Sequence, residues 1–329
     1  MKYRISASIA TAALAGLMVF EADAFQASQA PKVYRAPRTP DGHPDIQGIW
    51  SNAVITPMER PADLKDKPFL TEKEAREYEE RTRAKGNMDS RAGAGTDADV
   101  SRAYNDFWWD RGTKVVGTLR TSLVVDPPDG RVPALTPLAQ QRQKDRAQAR
   151  REHPADGPED RPLMERCILL NSAGPPMSPS AYNNNYQIVQ SANHVVIVNE
   201  MIHDARVIPL DGRPHLPAGM RLLMGDSVGH WEGETLVVDT TNFTDQSAFR
   251  GSGPNMHLIE RFTRSDAETL LYEYTVSDPE SFTRPWSVAL PSTRVAGPIF
   301  EYACNEGNLG MEGLLSAARA EERAAAAKK

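Results

Sequence analysis

Hydrogen-bonding and titratable side chains are concentrated in residues 227–264, which read SVGHWEGETLVVDTTNFTDQSAFRGSGPNMHLIERFTR. The side chains concerned are those of His230, Asp239, Asn242, Arg250, His257, Glu260 and Arg261. An imidazole beside a carboxylate can transfer protons, and a guanidinium can stabilise negative charge that develops during a reaction. The segment therefore predicts the location of a site, although it does not name a reaction.

The hairpin that this segment forms with the next strand is expected to have two different faces. With Asp266 and Ala267 at its tip, Glu260 would lie opposite Glu273. Facing carboxylates repel each other, so one would be shifted towards its protonated form and the pair could act as acid and base. The alternative is a solvated face on which Arg264 or another arginine neutralises the pair.

The other face of the same hairpin would carry His257 and Arg261 against Tyr272 and Tyr274. Apolar walls with a few converging polar groups are typical of a ligand pocket. The alternative is that the phenols and the guanidinium satisfy one another at the end of a barrel.

A second group of candidates lies in residues 200–206, EMIHDAR. His203 could act as a general base or acid, oriented by Asp204 or, from a neighbouring strand, by Asp239. Arg206 could stabilise the developing negative charge. A structural histidine is the alternative at this position.

Amides and aromatic rings supply further candidates. The three consecutive asparagines at 183–185 are unfavourable in a strand, so they form a turn or present their amides to a ligand. The predicted ligand contacts are Trp108, Trp109, Asn184, Tyr186, Asn242, Tyr272 and Tyr274.

Alternation of apolar and polar residues from about Tyr186 onwards predicts short strands with no helices between them. The segments are YQIVQS, HVVIVNEM, ARVIPL, SVGHW, TLVVDTTNF, HLIERFTR, TLLYEYTV, WSVAL and IFEYAC. Earlier in the chain, PDIQGIW predicts a first strand, and RTSLVVDPPDGRVPAL predicts two short strands around a turn. This pattern favours an antiparallel barrel or sandwich over a parallel sheet, and we expect a mainly β protein with a barrel.

Helices and long loops are expected to elaborate the barrel. Thr71 begins a capping-box pattern, and Thr136 is expected to cap a second helix. The predicted helices cover about 71–83, 136–152 and 311–326. We therefore predict one β-barrel-type domain over 46–329 with a helical elaboration at about 55–160, preceded by an extended lead-in at 25–45.

The beginning of the 329-residue chain has the pattern of a secretory signal over residues 1–24. A positively charged start precedes an apolar run, and small residues stand before the expected cleavage after Ala24. This pattern predicts a periplasmic or secreted protein. In an oxidising compartment the two cysteines, Cys167 and Cys304, are expected to form one disulfide, with two free buried thiols as the alternative.

Composition and missing motifs disfavour several functional classes. The formal net charge is −6, and no Lys/Arg stripe is interleaved with aromatic residues, so we expect no nucleic-acid partner. HExxH, paired CxxC and GxGxxG motifs are missing, so no metal or organic cofactor is predicted, although a metal site assembled from distant strands stays open. No later segment predicts a membrane span, and the oligomeric state is left open.

Six blocks of the chain resemble the signature blocks of a large family of secreted bacterial proteins, a resemblance that implies no particular activity. The blocks are RTPDGHPDIQGIWSN, RTSLVVDPPDGRVP, YNNNYQIVQ, EMIHDARVIPLDGRPHLP, GHWEGETLVVDTTNF and RPW. Separately, Gly48–Trp50 resembles the GxW that opens the barrel of lipocalins and other calycins. That resemblance implies a small-molecule cavity, although a lipocalin continues at once into hairpins and this chain does not.

The leading hypothesis is an enzyme that acts on a small organic molecule by acid–base chemistry, such as hydrolysis, elimination, isomerisation or cyclisation. The base or acid would be His203 or His257, the orienting carboxylate Asp204, Asp239 or Glu260, and the charge-stabilising cation Arg206 or Arg261. The alternative is a non-catalytic periplasmic protein that binds an apolar or aromatic small molecule. A third hypothesis is a structural role in the cell envelope.

Overall fold

One antiparallel sheet of ten strands dominates the described part of the chain, as the predicted alternation requires. The structure is a computed structural model that describes residues 34–86, 96–97, 109–170, 172–247 and 249–328. The strands are β1 (Gly48–Ser51), β2 (Val124–Asp126), β3 (Asn185–Gln190), β4 (His194–Asn199), β5 (Ala205–Pro209), β6 (Asp226–Glu232), β7 (Thr235–Thr241), β8 (His257–Arg264), β9 (Thr269–Ser277) and β10 (Trp286–Val295). The expectation of a mainly antiparallel β protein is confirmed.

Neighbouring strands follow the order β5-β4-β3-β1-β10-β9-β8-β7-β6, and β2 pairs separately with β10. The hydrogen-bonded ladder stops at β5 and β6, which share no pairing in the described ranges, so the predicted barrel is not confirmed. The two end strands are nevertheless close, since a Cβ added to Gly229 would lie 2.8 Å from Leu210 Cδ2 and 2.9 Å from Ile208 Cγ2. The sheet is therefore strongly curved.

Three α-helices accompany the sheet in the described residues: α1 (Glu72–Gly86), α2 (Pro137–Glu152) and α3 (Leu309–Ala326). The predicted caps are confirmed, because Thr136 Oγ1 accepts from Ala139 N at 3.2 Å and Thr71 N donates to Glu74 Oε2 at 2.9 Å. Contacts with the Lys67 ammonium and with Thr71 lower the pKa of Glu74 to about 2. No helix in the described residues combines the length and the apolar character needed to cross a membrane.

Aromatic side chains fill the interior of the curved sheet. The rings of Tyr272 and Tyr274 have centroids 5.5 Å apart, and Trp286 packs edge-on to Tyr274 at 6.1 Å. Trp50 is fully buried, and its indole nitrogen donates to Ile46 O at 3.0 Å. Burial of such large side chains is the main source of stability that the sheet offers.

Two of the predicted strands are not formed. IFEYAC is irregular, because β10 continues to Val295 and is followed by Gly297, with φ of +71°, and by Pro298, which has no N–H to donate. RVPAL is also irregular and contributes a single bridge, between Leu135 and Phe282. The other ten predicted strands are formed, as β1 to β10.

The loop between β8 and β9 is one residue longer than we expected. The predicted register required a two-residue tip of Asp266 and Ala267, but Ser265 N donates to Thr269 O at 3.0 Å, which leaves Asp266, Ala267 and Glu268 in the loop. Side chains alternate between the two faces of a strand, so a shift of one residue changes every opposed pair.

In the observed register Glu260 lies opposite Tyr274, and Glu273 lies opposite Arg261. Glu260 is buried inside the curved sheet, and Glu273 lies on the outer face with Arg261. The predicted pair of facing carboxylates is therefore wrong. The predicted pocket face is wrong as well, because His257 and Arg261 point outwards while the tyrosines of β9 point inwards.

Cys167 and Cys304 form the expected disulfide, with their Cα atoms 5.5 Å apart. It joins the segment before β3 to the irregular segment before α3. The alternative of two free thiols is thereby excluded.

The disulfide leads to a prediction about stability. It joins residues separated by 137 positions, and the chain-entropy model then gives a contribution of about 5 kcal/mol to the free energy of unfolding. Urea unfolding of Cys167→Ser/Cys304→Ser should show a loss of that order relative to the oxidised parent protein. The reduced parent serves as the control and should unfold at the same urea concentration as the variant. A loss below about 1 kcal/mol would contradict the prediction.

Candidate functional site

Two imidazoles and two carboxylates form a continuous line of contacts on the outer face of the sheet. Asp226 Oδ2 lies 3.0 Å from His215 Nδ1, and the other nitrogen of that ring lies 3.1 Å from Asp239 Oδ1. His257 Nε2 lies 2.9 Å from the same oxygen of Asp239. We refer to these four residues as the Asp–His network.

Three adjacent strands position three residues of the Asp–His network. Asp226 is the first residue of β6, Asp239 lies near the end of β7, and His257 is the first residue of β8. Since β6, β7 and β8 are neighbours and antiparallel, these positions meet at the same end of the sheet.

The fourth residue, His215, comes from the loop between β5 and β6. The loop is fastened to Asp226, whose two carboxylate oxygens accept from Arg213 Nη2 at 3.0 Å and from Leu216 N at 2.9 Å. Asn242, in the left-handed region with φ of +58°, donates from its amide to Leu216 O at 2.8 Å. The predicted ligand contact Asn242 therefore holds the loop that carries His215.

The network runs from a buried carboxylate to an accessible imidazole. The side chain of Asp226 is 3 % exposed, whereas that of His257 is 46 % exposed. An imidazole donates from both nitrogens only when it is doubly protonated, so His215 carries a positive charge when it donates to both carboxylates. His257 uses Nε2 for Asp239, and its Nδ1 has no hydrogen-bond partner among the described residues. A carboxylate that orients an accessible imidazole is the arrangement used in general acid–base catalysis.

A second polar group, separate from the Asp–His network, lies inside the curved sheet. Arg206 Nη1 and Glu260 Oε2 are 2.8 Å apart, in ionic contact but without hydrogen-bond geometry, and both side chains are buried. The Tyr272 hydroxyl donates to Glu260 Oε1 at 2.7 Å and accepts from Met177 N at 3.0 Å. Burial and the nearby charge of Glu260 raise the pKa of Tyr272 well above its usual value, so the hydroxyl remains a donor.

The other two predicted tyrosines also lie in the packed interior. Tyr186 donates from its hydroxyl to Ser292 Oγ at 2.8 Å, and the Tyr274 hydroxyl lies 3.8 Å from Met58 Sδ. Burial raises the pKa of both phenols. That these tyrosines contact a ligand stays a prediction. Their internal partners give each hydroxyl a structural role.

Arg261 lies on the outer face, in a surface cluster of its own. Its Nη2 is 2.9 Å from Glu232 Oε2, and His230 Nε2 is 3.2 Å from Glu232 Oε1. These two contacts lower the pKa of Glu232. Arg261 is thus already engaged by a carboxylate at some distance along β8 from His257.

His203 and Asp204 are not near the Asp–His network. His203 lines a cleft of about 230 Å³ beside the disulfide, together with Glu301 and Tyr302. Desolvation raises the pKa of the half-buried Asp204. The expectation that Asp239 orients His203 is wrong, because the contacts of Asp239 are with two other histidines.

The asparagine segment leads directly into β3: Asn183 and Asn184 are irregular, and Asn185 is the first residue of the strand. Asn183 has φ of +54°, and Asn184 accepts from Ser180 N at 2.7 Å and donates to Ser180 O at 3.1 Å. Trp109 packs edge-on to Tyr182 with ring centroids 6.1 Å apart. The predicted contact Trp108 lies outside the described residues.

Two members of the Asp–His network, His215 and Asp226, were missed by the sequence analysis. His215 stands in an irregular loop, and its partner follows 11 residues later, so no local periodicity relates them. The available signal was an aspartate at the start of a strand, directly after a glycine that ends a loop.

Comparisons of the chain with protein-family models, with curated proteins and with solved structures found no match. Across the described ranges, no group of three or more His, Cys, Asp and Glu side chains is arranged to hold a metal ion. The site must therefore be interpreted from its own geometry.

The buried ion pair gives a prediction that tests the register. Glu260→Ala should lower the free energy of unfolding by about 3–5 kcal/mol, because it leaves the Arg206 guanidinium buried without a counter-charge. The matched control Glu273→Ala, on the outer face of the neighbouring strand, should change it by no more than about 0.5 kcal/mol. Urea unfolding measures both. Similar losses in the two variants would contradict the assigned faces. The double variant Arg206→Met/Glu260→Leu should be more stable than Glu260→Ala.

The shared carboxylate gives a prediction that needs no substrate. In Asp239→Ala, His215 and His257 lose their common acceptor, so the ring N–H protons should exchange faster with water. Proton–nitrogen NMR of the labelled protein should show both Nε2–H signals broadened or lost, while the His230 signal is unchanged. Retention of both signals would show that the contacts with Asp239 are not hydrogen bonds in solution.

Proposed function

We propose that this protein is an exported enzyme that acts on a small organic molecule by acid–base chemistry at His257. The observation that carries the proposal is the 2.9 Å contact between His257 Nε2 and Asp239 Oδ1, with the imidazole accessible from solvent. An accessible imidazole oriented by a carboxylate is a common general base.

The chemistry would be the transfer of one proton through His257 Nδ1. With Nε2–H donated to Asp239, the lone pair of Nδ1 is free to take a proton from a substrate C–H or from a water molecule. Asp239 then stabilises the imidazolium, and the same proton is returned to the leaving group or to the product. Hydrolysis, elimination, isomerisation and cyclisation all fit this sequence.

Asp226 and His215 would act as positioning residues. His215 lies between Asp226 and Asp239, with one ring nitrogen within hydrogen-bonding distance of each carboxylate. It also fixes the Asp239 oxygen that orients His257. Neither residue needs to touch the substrate. The scheme requires no organic cofactor or metal.

The proposal includes an exported, barrel-like scaffold of the kind implied by the resemblance to secreted bacterial proteins and to calycins. The signal-like leader and the disulfide support export, since structural disulfides persist in oxidising compartments. The closeness of β5 and β6 at Gly229 supports a barrel-like closure through side-chain contacts instead of a ladder.

The alternative of an interior carrier site is less well supported. A carrier of the lipocalin kind needs a cavity lined by the inward-facing aromatic residues. Here Phe262 stacks on Tyr272 with centroids 4.8 Å apart, and the neighbouring rings continue this packing. The interior therefore favours the enzyme hypothesis, in which the site lies on the outer face.

The experiment compares His257→Ala with the matched control His230→Ala, an exposed histidine on the same sheet. The purified mature proteins would be incubated with a panel of small esters, lactones, epoxides and β-hydroxy carbonyl compounds, and products followed by mass spectrometry. We expect His257→Ala to lower kcat/KM by about 10²–10⁴, the usual contribution of a general base or acid, and His230→Ala to leave it unchanged.

Two results would overturn the proposal. One is that the parent protein converts none of the panel compounds. The other is that the folded His257→Ala protein retains the parent rate. Circular dichroism of each variant ensures that a loss of activity is not a loss of structure.

A further inference from the structure

A large cleft lies away from the Asp–His network, between α2 and the chain that follows it. Its volume is about 590 Å³, which lies in the range of small-molecule sites. One wall is α2, another is the segment 159–170, and Asp245 and Gln246, after β7, line one end.

The α2 wall is cationic because of helical spacing. Four residues of α2 line the cleft from one face of the helix, because the last three follow the first by three, four and seven positions. They are Arg146, Ala149, Arg150 and His153. Ala149 belongs to the same lining, and its small side chain fills little of the cleft. The contact with Asp156 raises the pKa of His153, which favours its positive form.

The segment 159–170 brings apolar side chains to the cleft beside its charged ones. The apolar side chains are those of Pro162, Leu163, Met164, Leu169 and Leu170. Met164 is 54 % exposed although it lies beside the buried Leu169. These apolar side chains and the cationic face of α2 give the cleft two chemically distinct sets of groups.

Two of the four arginines that line the cleft have side chains with no hydrogen-bond partner within the described residues. Arg161 is bound to Glu165 at 2.7 Å, and Arg146 donates to the backbone oxygen of Asp245 at 2.5 Å. No acceptor within the described part of the chain takes a hydrogen bond from the side chain of Arg150 or Arg166. Carboxylates of Glu159, Asp160 and Asp245 also line the cleft, and Asp160 is engaged by Gly157 N at 2.9 Å.

We propose that this cleft binds an organic anion with an apolar body, such as a medium-chain or aromatic carboxylic acid. Guanidinium groups bind carboxylates through charge-assisted, often bidentate hydrogen bonds, and Arg150 and Arg166 supply them. The leucines and Met164 cover the apolar body. This inference does not depend on the function proposed for His257.

The test is isothermal titration of the full mature protein with decanoate, compared with decanol and with butyrate. Decanoate should bind with one-to-one stoichiometry and a Kd below about 1 mM, and the uncharged alcohol and the short acid should each bind at least about tenfold more weakly. Arg150→Gln and Arg166→Gln should each weaken decanoate binding about tenfold. The matched control Arg151→Gln, on the same helix but outside the cleft, should leave it unchanged.

Ala149→Trp provides an independent check, because it places a large side chain in the lining of the cleft without removing a charge. It should abolish decanoate binding while the unfolding temperature stays at the parent value. The inference is overturned if decanoate does not saturate the protein, if decanol binds as tightly as decanoate, or if the arginine and Ala149 variants bind like the parent. Each of these results leaves the test of His257 unaffected.

Discussion

The pairing of β8 with β9 is the constraint on which both polar groups of this protein depend. Because side chains alternate along a strand, the three-residue loop at Asp266–Glu268 decides at once which residues face inwards and which outwards. It places Glu260 in the packed interior and His257 on the accessible face. A loop shorter by one residue, as in the predicted register, would bury the imidazole and expose the carboxylate, and neither polar group could then form.

The interior ion pair and the outer network illustrate two uses of charge. Arg206 and Glu260 are removed from water, so their attraction is offset by a large desolvation cost, and the loss of either partner would leave the other charge buried without compensation. The Asp–His network keeps one end buried at Asp226 and the other accessible at His257. That gradient lets a rigid scaffold hold an imidazole that solvent can still reach.

Much of the fold could be predicted from local patterns, and less of the site could. Alternation identified most strands, and Thr71 and Thr136 correctly marked two helix starts, since caps and periodicity are local properties. Asp239 and His257 could be selected from the sequence, because a carboxylate beside an imidazole can transfer protons. The position of their partner His215 depends on the path of an irregular loop. The inward position of Glu260 depends on whether the loop between β8 and β9 has an even or an odd number of residues. Local sequence pattern determines neither of these.

The Asp–His network also holds the loop that crosses the seam between β5 and β6. These strands lie side by side without a shared ladder, and the loop that connects them carries His215. By contacting Asp239 on β7, this imidazole ties the connecting loop to a strand that is well bonded within the sheet. The network therefore fastens the loop that spans the seam to β6, β7 and β8. Opening the seam at this loop requires breaking the contacts of His215 with Asp226 and Asp239.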